Sequence, residues 1–500
     1  MIRPALEEAG KINPAEFKVM PISTEMFSDT VTPIEVFKRL KRVSKHCFML
    51  ESAEDSMNWG RYTFLGFDPK LEITCIDGAV NVEVKKGETY NLSADVPADN
   101  PNKHIQEILE RYKSVKFDWL PPFTGGLVGY FAYDYAKYTE PALNIDNYDS
   151  YGDCDRRFND VDLMLFDKVV AFDNYRQKIV LIVNISTENL NEEYRRGVKV
   201  LEELKELIKT GEPEKTSPAR IKSEFNSLFT EEEYCEMVLR AKEFIREGDA
   251  FQIVLSNRFE AEFEGSIFDA YRILRTINPS PYMFYFSGND QEIAGASPET
   301  LVKLKDGKLY TFPLAGTRPR GATDEEDSAL EKELLADEKE LAEHNMLVDL
   351  GRNDLGKISK FGTVEVEKYM SVLRFSHVMH IGSAVSGMIL PDKTGLDAIN
   401  AVLPAGTLSG APKIRAMQII NELEQCKRGI YGGAIGYLDL TGNMDTCIAI
   451  RLAYKKGGKV YVRSGAGVVD ASVPQSEYRE TVNKSAAVIK ALKESEGGLD

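Results

Sequence analysis

The chain has 500 residues, 62 Lys and Arg against 79 Asp and Glu, and a formal net charge of −17. That length exceeds one simple core and predicts two or three domains. The acidic residues are spread along the chain, which excludes nucleic acid or an anionic membrane as the main partner; a local metal or backbone dipole still binds an anion against a distant net charge. The six cysteines, Cys47, Cys75, Cys154, Cys235, Cys426 and Cys447, are scattered without a C-x-x-C pair. They suit neither a zinc ribbon nor a disulfide framework, so free thiols in a reducing cytosol are expected. No apolar run reaches membrane-helix length and residues 1–14 lack a signal or transit pattern, so the cytoplasm is the expected compartment.

Residues 1–20 read as a flexible leader. A helix around Pro33–Val43 gives way to strands at CFMLES and GRYTFLGFDP, then at LEITCIDG and AVNVEVKKGETYNL, with Gly or Asp-Gly turns. A helix near Lys103–Tyr112 precedes FTGGLVGYFAYDYAKY, a glycine-marked strand running into a helix start. Residues 161–186 carry two strands, LMLFDKVVAFD and KIVLIVNIS, and residues 188–209 an amphipathic helix with leucines at 201, 204 and 207. This first part, 21–210, is expected to be an α+β domain with an antiparallel meander. Residues 211–226 mix Pro, Gly, Ser and charge without an apolar period and read as a linker.

The second part, 227–496, opens with a helix in which Thr230 and Glu233 have the capping-box spacing. Hairpin-linked strands rich in Ile, Val, Tyr and Phe follow, with helices expected at Ser328–Val348, Ala411–Gln425 and Glu477–Lys493. The expected fold is α+β: large antiparallel sheets packed on each other and flanked by helices.

Two acidic pairs stand out on these helices. Glu340 and Glu343 lie in DEKELAEHNMLVDLGRNDLG; Glu477 and Glu480 lie in VPQSEYRETVNKSAAVIKAL, with Lys484 one turn on. Residues three apart share a helix face, so each pair presents two carboxylates to one point. Two such faces opposed would cage a hard cation such as Mg²⁺. Either pair alone would pass for a solvated helix face. Between them lie the glycine-rich segments PLAGTRPRG, LPAGTLSGAPK, YGGAIGYLDLTGN and RSGAGVV.

The run from Phe251 to Leu492 resembles the chorismate-utilising enzymes. The blocks IREGDAFQIVLSNRF, NPSPYMFY, GASPE, PLAGTRPRG, DEKELAEH, DLGRNDLG, SHVMH, LPAGTLSGAPK, GGAIGYLD, RSGAGVV and SEYRETVNK occur in that family's order. The resemblance implies Mg²⁺ held directly by Glu343 and Glu480, with Glu340 and Glu477 behind them holding waters. It implies a substrate carboxylate gripped by Arg451 beside Tyr431, close amides at Gly465 and Gly467, and a point charge at Lys484. Glu299 becomes the acid for the leaving hydroxyl, a task needing a raised pKa. Thr407 and His380 supply further polar contacts, His380 in the later loss of pyruvate. Without the resemblance, His380 reads as a core histidine and Lys484 as a surface lysine.

Two positions discriminate within the family. Gln252 stands where water-adding members carry a basic lysine, and Ala315 where many aminodeoxychorismate synthases carry a nucleophilic one. That pattern implies direct attack by ammonia and the anthranilate-forming branch, with aminodeoxychorismate synthase, or a non-catalytic tryptophan-responsive subunit, as alternatives. The segments Leu50-Glu51-Ser52 and Asn278-Pro279-Ser280-Pro281-Tyr282-Met283, continued by Tyr437 and Cys447, imply a tryptophan feedback site. No glutaminase signature is present, so ammonia is expected from a separate glutaminase subunit.

Overall fold

A computed structural model describes residues 1–53, 60–85, 101–143, 158–374 and 378–499. Among these, the strands form two antiparallel sheets of thirteen and eleven strands. Both sheets draw on chain from either side of residues 211–226. In the first, Cys47–Glu51 pairs with Tyr282–Ser287, Glu51 opposite Met283. In the second, Gly126–Phe131 pairs with Ala434–Asp439, Gly129 opposite Gly436. Arg220–Ile221, within the expected linker, pairs with the strand Gln252–Glu264.

The sheets face each other across an aromatic layer built from Phe48, Phe64, Phe123, Phe166, Phe284 and Phe286. Strand alternation sends the opposite side chains outward, where helices cover them. Pro33–Val43, Leu190–Thr210, Phe268–Ile277 and Pro474–Glu494 pack on the first sheet. Pro101–Arg111, Glu338–Gly356 and Gly395–Val402 pack on the second.

Short links carry the chain directly from a strand of one sheet to a strand of the other at four described places. Phe67 leads to Leu71, Phe166 to Lys168, Ser297 to Thr300 and Ile448 to Leu452. The second of these corrects the expected strand LMLFDKVVAFD, which is two strands, Val161–Phe166 and Lys168–Asp173, in different sheets. Asp167 separates them, with Lys70 and Lys168 at 3.5 and 3.2 Å. A charge held by two lysines cannot continue an apolar run into the inter-sheet layer, so the chain turns there.

The expected helix Ser328–Val348 is likewise two, Asp324–Ala336 and Glu338–Gly356. Asp337 is extended, and its carboxylate accepts the N–H groups of Lys339 and Glu340 at 3.1 and 3.3 Å. Helical spacing runs through the break and hides it; the aspartate before Glu-Lys-Glu is the cap signal. The consequence is functional, because Glu340 falls in a first helical turn, where the helix dipole favours negative charge. The Thr230–Glu233 box is present, with reciprocal bonds of 3.3 and 2.8 Å. Residues 1–20 carry a helical turn at Leu6–Ala9, and Arg3 exchanges backbone bonds of 2.9 and 2.8 Å with Ser23.

Cys47, Cys75, Cys235, Cys426 and Cys447 are free thiols, and Cys154 lies outside the described residues. No described helix is long and apolar enough to cross a membrane.

Glycine sets how closely the aromatic layer packs. A Cβ on Gly66 would lie 2.0 Å from the fully buried Phe48 ring. Gly66→Ala should overpack that layer and cost about 1–3 kcal/mol, read as a lower apparent Tm. Adding Phe48→Leu should recover part of the loss, whereas additive losses would show that the ring is not the obstacle.

Candidate active site

Two of the crossovers between sheets build the site. Glu299 lies on the step from Gln291–Ser297 to Thr300–Lys305, and Arg451 on the step from Met444–Ile448 to Leu452–Lys456. The steps are tied to each other: the Ile448 N–H donates to the Glu299 carbonyl at 3.0 Å and the Ala296 N–H to the Arg451 carbonyl at 3.1 Å. Arg451 holds φ at +53°, unusual for a residue with a side chain and a mark of local strain.

Burial tunes the groups that result. It pushes the Glu299 carboxyl up to about 8, offset only in part by the Thr407 hydroxyl at 3.3 Å and by the charge of Lys484. Glu299 therefore carries a proton at neutral pH, as an acid requires. Burial lowers His380, and the nearby Arg451 charge adds to it. His380 Nδ1 lies 2.7 Å from the Gly316 carbonyl, so Nδ1 bears the proton and Nε2 is the basic nitrogen. The Arg451 guanidinium makes no ion pair among the described residues, and burial lowers its pKa too. A cation so placed suits an anionic ligand.

The opposite wall is glycine and tyrosine. A Cβ on Gly465 would fall 2.6 Å from the Tyr431 hydroxyl, so only glycine lets that hydroxyl lie against the strand Lys459–Val468. Lys484 donates to the Gly465 carbonyl at 3.1 Å and pairs with Glu480 at 2.6 Å. Gly467 meets Gln252 in the same way: its Cβ would lie 2.6 Å from Gln252 Nε2, which donates to Glu343 Oε1 at 3.1 Å.

The carboxylate pairs sit at the starts of two different helices. Burial raises the pKa of Glu340, then Glu343 and Asp337 raise it further. Burial also raises Glu477, with Glu480 adding to it, and Lys339 from the other helix opposes the shift. The two helix starts thus act on each other electrically. They do not form a closed cage: among the described residues no three His, Cys, Asp or Glu side chains converge closely enough to hold a metal. The donor chemistry, carboxylates alone, nevertheless suits a hard cation.

The chorismate binding enzyme family model matches residues 45–490. The chain belongs to that family. It is 44% identical over 503 residues to anthranilate synthase component 1 of Acetivibrio thermocellus, covering 99% of each chain. It is 43% identical to the component 1 of Aquifex aeolicus, covering 98% of each. The crystal structure of anthranilate synthase component I from Streptococcus pneumoniae superposes with a TM-score of 0.72 at 39% identity, over 93% of this chain and 98% of that one.

This family member carries a second cavity, of about 570 Å³, between the sheets. Its lining includes Leu50, Glu51, Ser52, Pro281, Tyr282, Met283, Tyr437 and Cys447, eight of the eleven residues of the expected feedback site. Asn278 is not among the lining; it caps the helix Phe268–Ile277 and reaches Ser280 instead. Glu51 is held by Arg275 and by the Tyr271 hydroxyl, each at 2.5 Å. The Tyr282 hydroxyl bonds Thr300 and Asp445, each at 2.9 Å, and Thr300 adjoins Glu299.

The bond from Gln252 to Glu343 has no signal in the sequence, where Gln252 marks only a branch of the family. Asp337, by contrast, carries a capping signal in the sequence.

An acid raised to about 8 keeps its proton after the unfolded chain has released it near 4.5. Its stabilising contribution is therefore whole below the lower value and lost as pH rises through the upper one. Glu299→Gln, which cannot ionise, should gain Tm relative to the parent chain across that window and level off above it. Parallel Tm curves would show Glu299 ionised in the folded protein.

Proposed function

We propose that the chain is the large subunit of an anthranilate synthase, converting chorismate and ammonia to anthranilate and pyruvate. The observation that carries this reading is the proton-bearing Glu299 carboxyl on the same pair of crossovers as the Arg451 guanidinium, which makes no ion pair among the described residues. Glu299 gives its proton to the ring hydroxyl, which leaves as water. Ammonia adds to the ring carbon beside the carboxylate-bearing one as the double bonds shift, and sheds a proton. Arg451 and Tyr431 hold the pyruvyl carboxylate against the Gly465 backbone throughout. His380 Nε2 then takes the proton from the amine-bearing carbon as the pyruvyl C–O bond breaks. The ring becomes aromatic, and the departing enolate takes a proton at its methylene carbon to become pyruvate.

Mg²⁺ would be held by Glu343 and Glu480, with Glu340 and Glu477 behind them, and when bound it neutralises the ring carboxylate. Gln252 holds Glu343 through its amide and, unlike a lysine, takes no proton from water, which supports ammonia as the nucleophile. The ammonia comes from a separate glutaminase subunit.

The protein with chorismate, ammonium and Mg²⁺ should yield anthranilate and pyruvate in equal amounts by mass spectrometry. An aminated product without pyruvate would favour aminodeoxychorismate synthase. Glu343→Gln and Glu480→Gln should each weaken Mg²⁺ binding about tenfold or more, measured by calorimetry with a substrate analogue. Unchanged affinity in both would end the metal assignment.

The second cavity is proposed as a tryptophan site. Met283 and Tyr437 offer apolar surface for an indole, and Glu51 and Ser52 polar groups for the amino acid end. Inhibition by such a ligand is a coupling free energy, typically about 1–3 kcal/mol, and it is reciprocal. Ser52→Phe should fill the cavity and leave an active chain that tryptophan no longer inhibits. Chorismate should weaken tryptophan binding to the parent chain by the factor that tryptophan weakens chorismate binding. Full inhibition of Ser52→Phe would show that the ligand binds elsewhere.

A further inference from the structure

A threonine that none of the steps above uses stands between the large cavity and the acid. Thr300 follows Glu299 in the chain and is buried. With Glu299, Thr407 and Ile448 it lines a cleft of about 40 Å³ beside the acid. From the other side the Tyr282 hydroxyl meets the Thr300 hydroxyl at 2.9 Å, and Tyr282 lines the large cavity.

The direction of that bond follows from its neighbours. Burial, and then the nearby Asp445 charge, hold the Tyr282 phenol well above its ordinary pKa, so it keeps its proton. The phenol donates that proton to Asp445 Oδ1 at 2.9 Å, and Lys303 pairs with Asp445 Oδ2 at 2.6 Å. The Thr300 hydroxyl is therefore the donor to the phenol oxygen. Lys303, Asp445 and Tyr282 all line the cavity, so this chain of bonds starts in its wall and ends one residue from the acid.

The strand is also interrupted at this point. Thr300 lies opposite Cys447 and Val302 opposite Thr446, which leaves Leu301 as the extra residue of a bulge. A bulge breaks the ladder locally, so the side-chain bond takes a larger share in fixing Thr300 than it would in a regular strand.

We propose that the Thr300 hydroxyl couples the cavity to the acid: its bond to Tyr282 holds Glu299 in the arrangement that binds chorismate, and a ligand that displaces the Tyr282 phenol releases it. A hydrogen bond weakens steeply as its angle closes from linear, so a small shift of the phenol is enough. Packed interiors turn such small shifts into a change between two arrangements. Because the ligand breaks this bond on binding, the bond opposes the ligand and favours the substrate. The inference rests on the proposed tryptophan site and on Glu299 as the proposed acid.

The test is Thr300→Val, which keeps the shape and removes the hydroxyl, beside Thr300→Ser, which keeps the hydroxyl. Calorimetry with Mg²⁺ and no ammonium reads chorismate and tryptophan binding, each alone and with the other present. Thr300→Val should resemble the tryptophan-bound parent, binding chorismate about fivefold more weakly. It should bind tryptophan about fivefold more tightly, a pair of opposite signs that simple damage to the fold does not give. Tryptophan should then weaken chorismate binding by no more than about twofold, whereas Thr300→Ser should keep the parent's coupling. Undiminished coupling in Thr300→Val, both ligands weakened together, or coupling lost in Thr300→Ser as well would each overturn the inference. Should Thr300→Val not fold, Thr300→Ala removes the same hydroxyl and decides by the same outcomes. A parent chain that binds no tryptophan would overturn the reading of the cavity, and the inference with it.

Discussion

Two backbone hydrogen bonds between neighbouring crossovers are the constraint on which the site depends. Where a chain leaves one sheet for the other, its peptide groups lose their strand partners, yet they remain inside the protein and need new ones. The crossovers at Glu299 and Arg451 satisfy each other, through Ile448 to Glu299 and Ala296 to Arg451. The acid and the cation are therefore set relative to each other by main chain, more firmly than side-chain packing alone would achieve. The strained backbone at Arg451 is tolerable because both flanking strands are pinned.

Enclosure then does most of the chemical tuning. The same loss of water raises Glu299 and lowers His380 and Arg451. Each shift favours the neutral form, which serves a proton donor and a proton acceptor but works against a cation. The arginine stays charged because its ordinary pKa is so high. The Arg451 cation, with no ion pair among the described residues, is left for an anion to satisfy.

The large cavity and the acid share structure. Cys447 lines the cavity, and its neighbour Ile448 donates to the Glu299 carbonyl. Tyr282 lines it too and bonds Thr300, next to the acid. The strand Met444–Ile448 and the start of Thr300–Lys305, which flank Glu299, thus adjoin the cavity as well. The cavity and the acid are therefore separated by few bonds.

Local pattern alone specified the strands, most helices, the Thr230 cap and the two i,i+3 glutamate pairs, because these follow from spacings of two, three and four residues. Resemblance added roles for Glu299, His380 and Arg451, which periodicity could not distinguish from core residues. Tertiary structure alone decided the rest. The split at Asp167 was masked by a continuous apolar run and is settled by which sheet the next residue enters, whereas the break at Asp337 had a local cap signal that continuous helical spacing obscured. Residues 21–210 and 227–496 read as separate stretches, but strand pairing merges them into both sheets, since edge strands find partners by shape and not by position in the chain. Arg428 and Arg463, buried together on Glu424, were invisible in sequence for the same reason: an enclosed arginine and a surface one are spelled alike, and only the fold takes one of them out of water.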